Sequence, residues 1–253
     1  MEVELMKKRK LIPRVALAST IFTALLLPQT VMGEGTGDDP RMIEDVKTEK
    51  QVKAEKEKLR KVREHITNKR EAAESEGKVS ALGLFRVISV PSFEQETSYW
   101  CGPATVKQVL DYINGTSKSQ RYYADELGTT KDGTVFSVVD DVLNDHQDEN
   151  YYVYTTHDSD EQSKFNDKIE WGIDNGYPSI LDLKIDPDYM PKYTRSVAGH
   201  IVNTSGYDWD DWEIRITDPF DQGNRGVTLG NVWHPADGIW EANQAHFRQA
   251  MIW

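Results

Sequence analysis

Cys101 is the only cysteine in the 253-residue chain, and the residues around it suit a nucleophile. It opens Cys101-Gly102-Pro103-Ala104, and apolar residues follow at Val106, Val109, Leu110 and Ile113. That spacing, i, i+3, i+4, i+7, marks one face of an α-helix. Pro103 fits the first turn, where a missing N–H costs nothing, and Asn114-Gly115 supplies a stop. Cys101 is therefore expected at a helix N-terminus, where unpaired N–H groups and the helix dipole favour negative charge. Thiolate is the reactive form of cysteine, and this is a setting that produces it. Gln95, six residues upstream, offers a side-chain amide as an oxyanion donor beside the Cys101 backbone N–H.

A thiol nucleophile needs a base and a group to orient that base. The chain has six histidines: His65, His146, His157, His200, His234 and His246. His200 differs from the rest by context. Residues 198–208 read as a strand entered through Gly199 and left through Gly206-Tyr207-Asp208. Residues 213–219 alternate polar and apolar and read as the antiparallel partner, with Asp218 before Pro219 at the end. Two adjacent strands can set His200 beside Asp218. The carboxylate then holds one ring nitrogen and leaves the other for the thiol.

The order Gln95, Cys101-Gly102-Pro103-Ala104, Gly199-His200, Asp218-Pro219 resembles the papain-like cysteine peptidases of the bacteriocin-processing, double-glycine-leader type. It is closest in character to their stand-alone secreted relatives, the C39-like peptidase domains. The resemblance covers residues 85–253, and residues 123–130 with Gly133-Thr134 resemble the connector between the second and third helices of such domains. It implies a papain-like fold, with Cys101 as nucleophile, His200 as base, Asp218 as orienter and Gln95 in the oxyanion hole. It implies a peptide or protein substrate and no cofactor. No ATP-binding cassette or transporter helices follow, so coupling to bacteriocin export is not implied.

Each residue also has a plainer reading. A single cysteine is commonly a small buried hydrophobe. His200 has the plainer reading of a core histidine, Asp218 of a turn acid, and Gln95 of an exposed loop residue, each the weaker of its two readings. His146 and His157 with Asp140, Asp141, Asp145 and Asp158 lack a metal-ligand spacing. They read as solvated polar surface, as do Asp208, Asp210 and Asp211, and no metal is expected. Three other functions stay open. They are another Cys-His-Asp acyl-transfer enzyme (transglutaminase-like or a cell-wall amidase), a non-catalytic secreted binding module, and an interaction protein working through its charged segment.

The elements that must position these residues divide the chain in three. Residues 1–33 read as a secretory signal peptide. Lys7-Lys8-Arg9-Lys10 and Arg14 form a basic region, thirteen mostly apolar residues run from Val15 to Leu27, and Val31-Met32-Gly33 offers a cleavage site. That run is shorter than the roughly twenty residues a membrane span needs. Membrane contact is expected only during export, and the protein is expected outside the cell. One cysteine forms no internal disulfide, which suits a catalytic thiol. Residues 34–80 are a charged helical spacer or propeptide. Residues 41–78 carry twelve Lys/Arg against nine Asp/Glu, with Val52, Leu59, Val62 and Ile66 hinting at a helical seam. The expected state is solvated and partly helical; the alternative is a propeptide that masks the site.

Residues 81–253 form the peptidase domain, long enough for one core. The net charge of −12 argues against a nucleic-acid partner, which requires basic patches. A monomer is expected. Within the domain, strands are expected at 84–89, 151–156, 179–183, 200–206 and 213–217. Helices are expected at 101–113, 120–127, 135–143 and 161–175. Residues 240–251 are ambiguous between strand and helix. Helices first and an antiparallel sheet later is an α+β pattern.

Overall fold

The computed structural model describes residues 37–41, 47–76, 84–222 and 225–253. The expected leader, 1–33, lies outside them. Among the described residues no helix is long and apolar enough to cross a membrane.

The elements run α1 Glu49–Glu76, β1 Phe85–Val87, α2 Cys101–Asn114, α3 Gln120–Glu126, a 3₁₀ turn Phe136–Val138 leading into α4 Val139–His146, β2 Tyr154–Thr156, α5 Gln162–Asn175, β3 Ile180–Ile185, β4 Val197–Asp208, β5 Glu213–Asp218, β6 Gly230–Pro235, α6 Ala236–Ala245 and β7 Ala250–Ile252. The strands form one antiparallel sheet in the order β2-β7-β3-β4-β5-β6. β4 is the long central strand; β3 pairs with its first half and β1 with its last three residues. The α+β arrangement of helices and antiparallel sheet is therefore present.

The sheet separates two apolar clusters. Val106, Val109 and Leu110 of α2 pack with Phe136, Leu143, Ile180, Ile201 and Ile252 on one side. Phe165 and Ile169 of α5 pack with Leu181, Val202, Ile216 and Trp240 on the other. Neighbours Ile201 and Val202 go to opposite clusters, as do Ile180 and Leu181, following the period-two alternation of a strand. α2 ends at Gly115, whose φ of 70° is the left-handed conformation that glycine accepts at a helix stop.

The charged segment departs from expectation. The helix is present, but it is docked rather than solvated. Val62 and Ile66 are buried in the α5 cluster and Leu59 packs against it. The Lys58 ammonium is buried against the C-terminus, donating to the carbonyls of Trp253 and Tyr151 and lying 4.4 Å from the Trp253 ring centroid. Burial drives the Lys58 pKa well below the usual lysine value. Lys69 ties the far end down by pairing with Glu170 at 2.5 Å and Asp174 at 3.0 Å.

Candidate active site

The first residue of α2 is Cys101, fully buried, and the Trp100 side chain makes no capping hydrogen bond at that helix start. The first N–H groups of α2 thus remain to act on the sulfur and on what binds there. Sγ also accepts the Ile201 N–H at 3.2 Å, which joins α2 directly to β4.

His200 precedes that N–H in β4 and is fully buried. β4 pairs with β5 through Asn203–Thr217, which brings Asp218 alongside. His200 Nε2 lies 2.7 Å from Asp218 Oδ1. Nδ1 has no hydrogen-bond partner among the described residues, and the Cys101 thiol is among the groups acting on the ring. Burial alone would lower the pKa of this ring. The Asp218 carboxylate, with a further contribution from Cys101, outweighs it and raises the value to about 10.

Asp218 is itself held from two sides. The Phe220 N–H donates to Oδ1 at 2.8 Å, and the buried Tyr193 hydroxyl donates to Oδ2. Burial pushes the Tyr193 phenol well above its usual range and Asp218 pushes it further, so it stays a donor. The His234 ring stacks on Tyr193 at 5.5 Å, and burial lowers its pKa to about 4. Phe220 packs edge-on to His200 at 5.9 Å.

Gln95 lies beside this group by its backbone: its N–H donates to Pro219 O at 2.8 Å, next to Asp218. Its side-chain amide donates to Thr97 O at 2.7 Å, in the loop that leads into Cys101. Its Oε1 is buried without a partner among the described residues. The structure thus gathers Cys101, His200 and Asp218, with Gln95 on the connecting loop.

Three glycines in the segments around Cys101 and His200 are packed too closely to carry a side chain without a shift. A β-carbon on Gly102 would lie 2.4 Å from Thr134 Oγ1, one on Gly199 3.0 Å from Asp38 Cβ, and one on Gly133 2.5 Å from Gly37 O. Gly133 also has φ 109°, which other residues rarely adopt. So the Cys-Gly, Gly-His and Gly-Thr steps of the sequence are places of close backbone approach. At Gly102 what approaches is Thr134, and at Gly133 and Gly199 it is residues 37–38 of the same chain. Gly37 N–H donates to Gly199 O at 3.3 Å, Thr134 N–H donates to Gly37 O at 2.7 Å, and Asp39 N–H donates to Thr134 O at 2.9 Å.

Two clusters have the makeup of cation sites: Asp38, Asp182 and His246, and His65, Glu170 and Asp174. Each already holds a fixed side-chain cation. Arg248 Nε sits 3.4 Å from both Asp38 Oδ1 and Asp182 Oδ2. Lys69 bridges Glu170 and Asp174. Protein charge therefore supplies what a metal would.

The other histidine cluster is corrected in part. His157 and Asp140 are buried, not solvated surface. His157 Nε2 lies 2.7 Å from Lys168 Nζ, burial lowers its pKa to about 3, and Asp140 accepts the Tyr154 N–H at 3.1 Å. Asp208 is a turn acid, accepting the N–H groups of Asp210 and Asp211. Sequence reasoning missed Tyr193, Asp182, His246 and Arg248. None carries a local motif; each acquires its position from long-range packing.

The Peptidase_C39 like family model matches residues 87–244. The chain belongs to this family of cysteine peptidases. The match takes in Cys101, His200, Asp218 and Gln95. Among solved structures, xylellain, a cysteine protease from Xylella fastidiosa, is 14% identical with a TM-score of 0.45, over 66% of this chain and 83% of that one. The peptidase domain of Streptococcus ComA, a bi-functional ABC transporter involved in a quorum-sensing pathway, is 17% identical with a TM-score of 0.40, over 65% of this chain and 97% of that one. Comparison with curated proteins returns no match.

Proposed function

We propose that this cysteine peptidase hydrolyses peptide bonds through a Cys101–His200–Asp218 triad with Gln95 in the oxyanion hole. The observation that carries this reading is the His200–Asp218 contact of 2.7 Å beside a fully buried Cys101 at the start of α2. His200 holds the thiol proton, and the thiolate attacks the carbonyl carbon. The oxyanion forms against the Cys101 backbone N–H and the Gln95 amide. His200 then protonates the leaving amine, and water, activated by the same ring, hydrolyses the thioester. For the amide to serve, Gln95 exchanges its Thr97 contact for the oxyanion when substrate binds. Peptide-library digestion read by mass spectrometry tests this. Cys101→Ala gives no cleavage, and Gln95→Ala lowers turnover by about 10²–10³, the usual effect of losing one oxyanion donor. Full turnover in Gln95→Ala contradicts its role.

We also propose export from the cell, on the basic stretch 7–14 and the apolar run 15–27 of the sequence. N-terminal sequencing of protein recovered outside the cell tests it; intact Met1 on all of that protein contradicts cleavage.

A further inference from the structure

Residues 37–39 lie across the cleft as a strap, and what the cleft does to hold them defines a site. A β-carbon on Gly37 would lie 2.1 Å from Cys101 Sγ and 3.0 Å from the Cys101 backbone nitrogen, so the position over the thiol admits glycine alone. The Gly37 carbonyl accepts from Thr134 N–H rather than pointing at the proposed oxyanion donors, so this glycine lies there without being set for attack. The next side chain, Asp38, is buried. Its Oδ2 lies 3.2 Å from His246 Nε2 and its Oδ1 3.4 Å from Arg248 Nε. Arg248 reaches further and donates to the Arg41 carbonyl at 2.9 Å. His246 and Arg248 follow α6 and are themselves held by Asp182, at 3.4 Å from each.

We infer that His246, Arg248 and Asp182 form an anion subsite of the peptide cleft, which takes the carboxylate of an acidic residue directly following a glycine at Cys101. Asp38 fills that subsite in this chain, and residues 37–41 thereby keep the thiol covered. A buried carboxylate requires a partner of opposite charge, and the buried Arg248 guanidinium supplies it, with His246 Nε2 beside it. Burial and the Asp38 charge both push the Asp182 pKa well above the ordinary carboxylate range, towards the neutral acid. Gly199, with no side chain, leaves the room Asp38 needs: its β-carbon would lie 3.0 Å from Asp38 Cβ and 3.5 Å from His246 Nε2.

The subsite rests on the peptidase reading only for its purpose, so the test uses the thiol rather than turnover. Iodoacetamide alkylation of Cys101 is timed in the full chain and in D38N, with and without the peptides Gly-Asp-Asp-Pro-Arg and Gly-Asn-Asp-Pro-Arg at millimolar concentration. D38N is expected to alkylate about tenfold faster or more, the scale of one lost ion pair in a buried setting. The Asp peptide slows D38N back towards the parent rate, the Asn peptide does not, and D38N/R248Q no longer distinguishes the two. Parent-like alkylation of D38N, or equal or absent protection by the two peptides, overturns the subsite. Peptide-library turnover is scored on the same samples. Its absence with the alkylation pattern intact counts against the peptidase reading alone, and the reverse counts against the subsite alone.

Discussion

At His200, burial and charge pull in opposite directions. Burial penalises the imidazolium, yet Asp218 at 2.7 Å lifts the ring pKa from 6.5 to about 10. A group raised in the folded state adds stability that is fully present below its unfolded value, here about 6.5, and is lost as pH rises through the folded value. The thermal midpoint should therefore fall between pH 6.5 and 10, and Asp218→Asn should flatten that fall because only Cys101 then opposes burial. Unfolding curves across this window check it; an equal fall in both proteins contradicts it. At this scale the sequence was informative where chemistry sat in local context. Cys101 was legible because its helix is written in adjacent residues, and His200 and Asp218 because each terminates or enters a strand. Tyr193 and Arg248 were not, because neither has a neighbour in sequence that explains its neighbour in space. His157 was misplaced for a related reason: Asp158 beside it is exposed polar surface, but its partner Lys168 belongs to α5.

Among elements, α1 is where composition misled. Its seam of Val62 and Ile66 is short and its charge is high, which describes a solvated helix until α5 and Trp253 are placed beside it. Ile66→Ala should cost about 2–3 kcal/mol, the lower part of the range for truncating a buried isoleucine, and denaturant unfolding reads it directly. A change under about 0.5 kcal/mol, typical of surface substitutions, contradicts docking. β6 and α6 show the converse limit. Residues 230–235 end in Pro235, acceptable because β6 is an edge strand paired only with β5. α6 contains Gly238, which weakens a helical pattern. Its reason is tertiary: a β-carbon there would lie 2.0 Å from Tyr189 O. The ambiguity over residues 240–251 resolves into both answers, since α6 runs to Ala245 and β7 follows at Ala250–Ile252.

For the whole molecule, the sheet places its two clusters so that the start of α2 meets the middle of β4, and the strap then crosses that junction. Residues 37–39 are held by a parallel bridge from Asp38 to Thr134 and by hydrogen bonds to Gly199 and Thr134, pairings between distant segments that no local signal encodes. The central claim is that His200 activates Cys101. Its most direct test is the rate of Cys101 alkylation by iodoacetamide at pH 6, measured in D38N with His200 intact and with His200→Ala added. The account predicts rapid alkylation that His200→Ala slows by about tenfold or more, one pK unit's worth of charge stabilisation. Equal rates with and without His200 would contradict it.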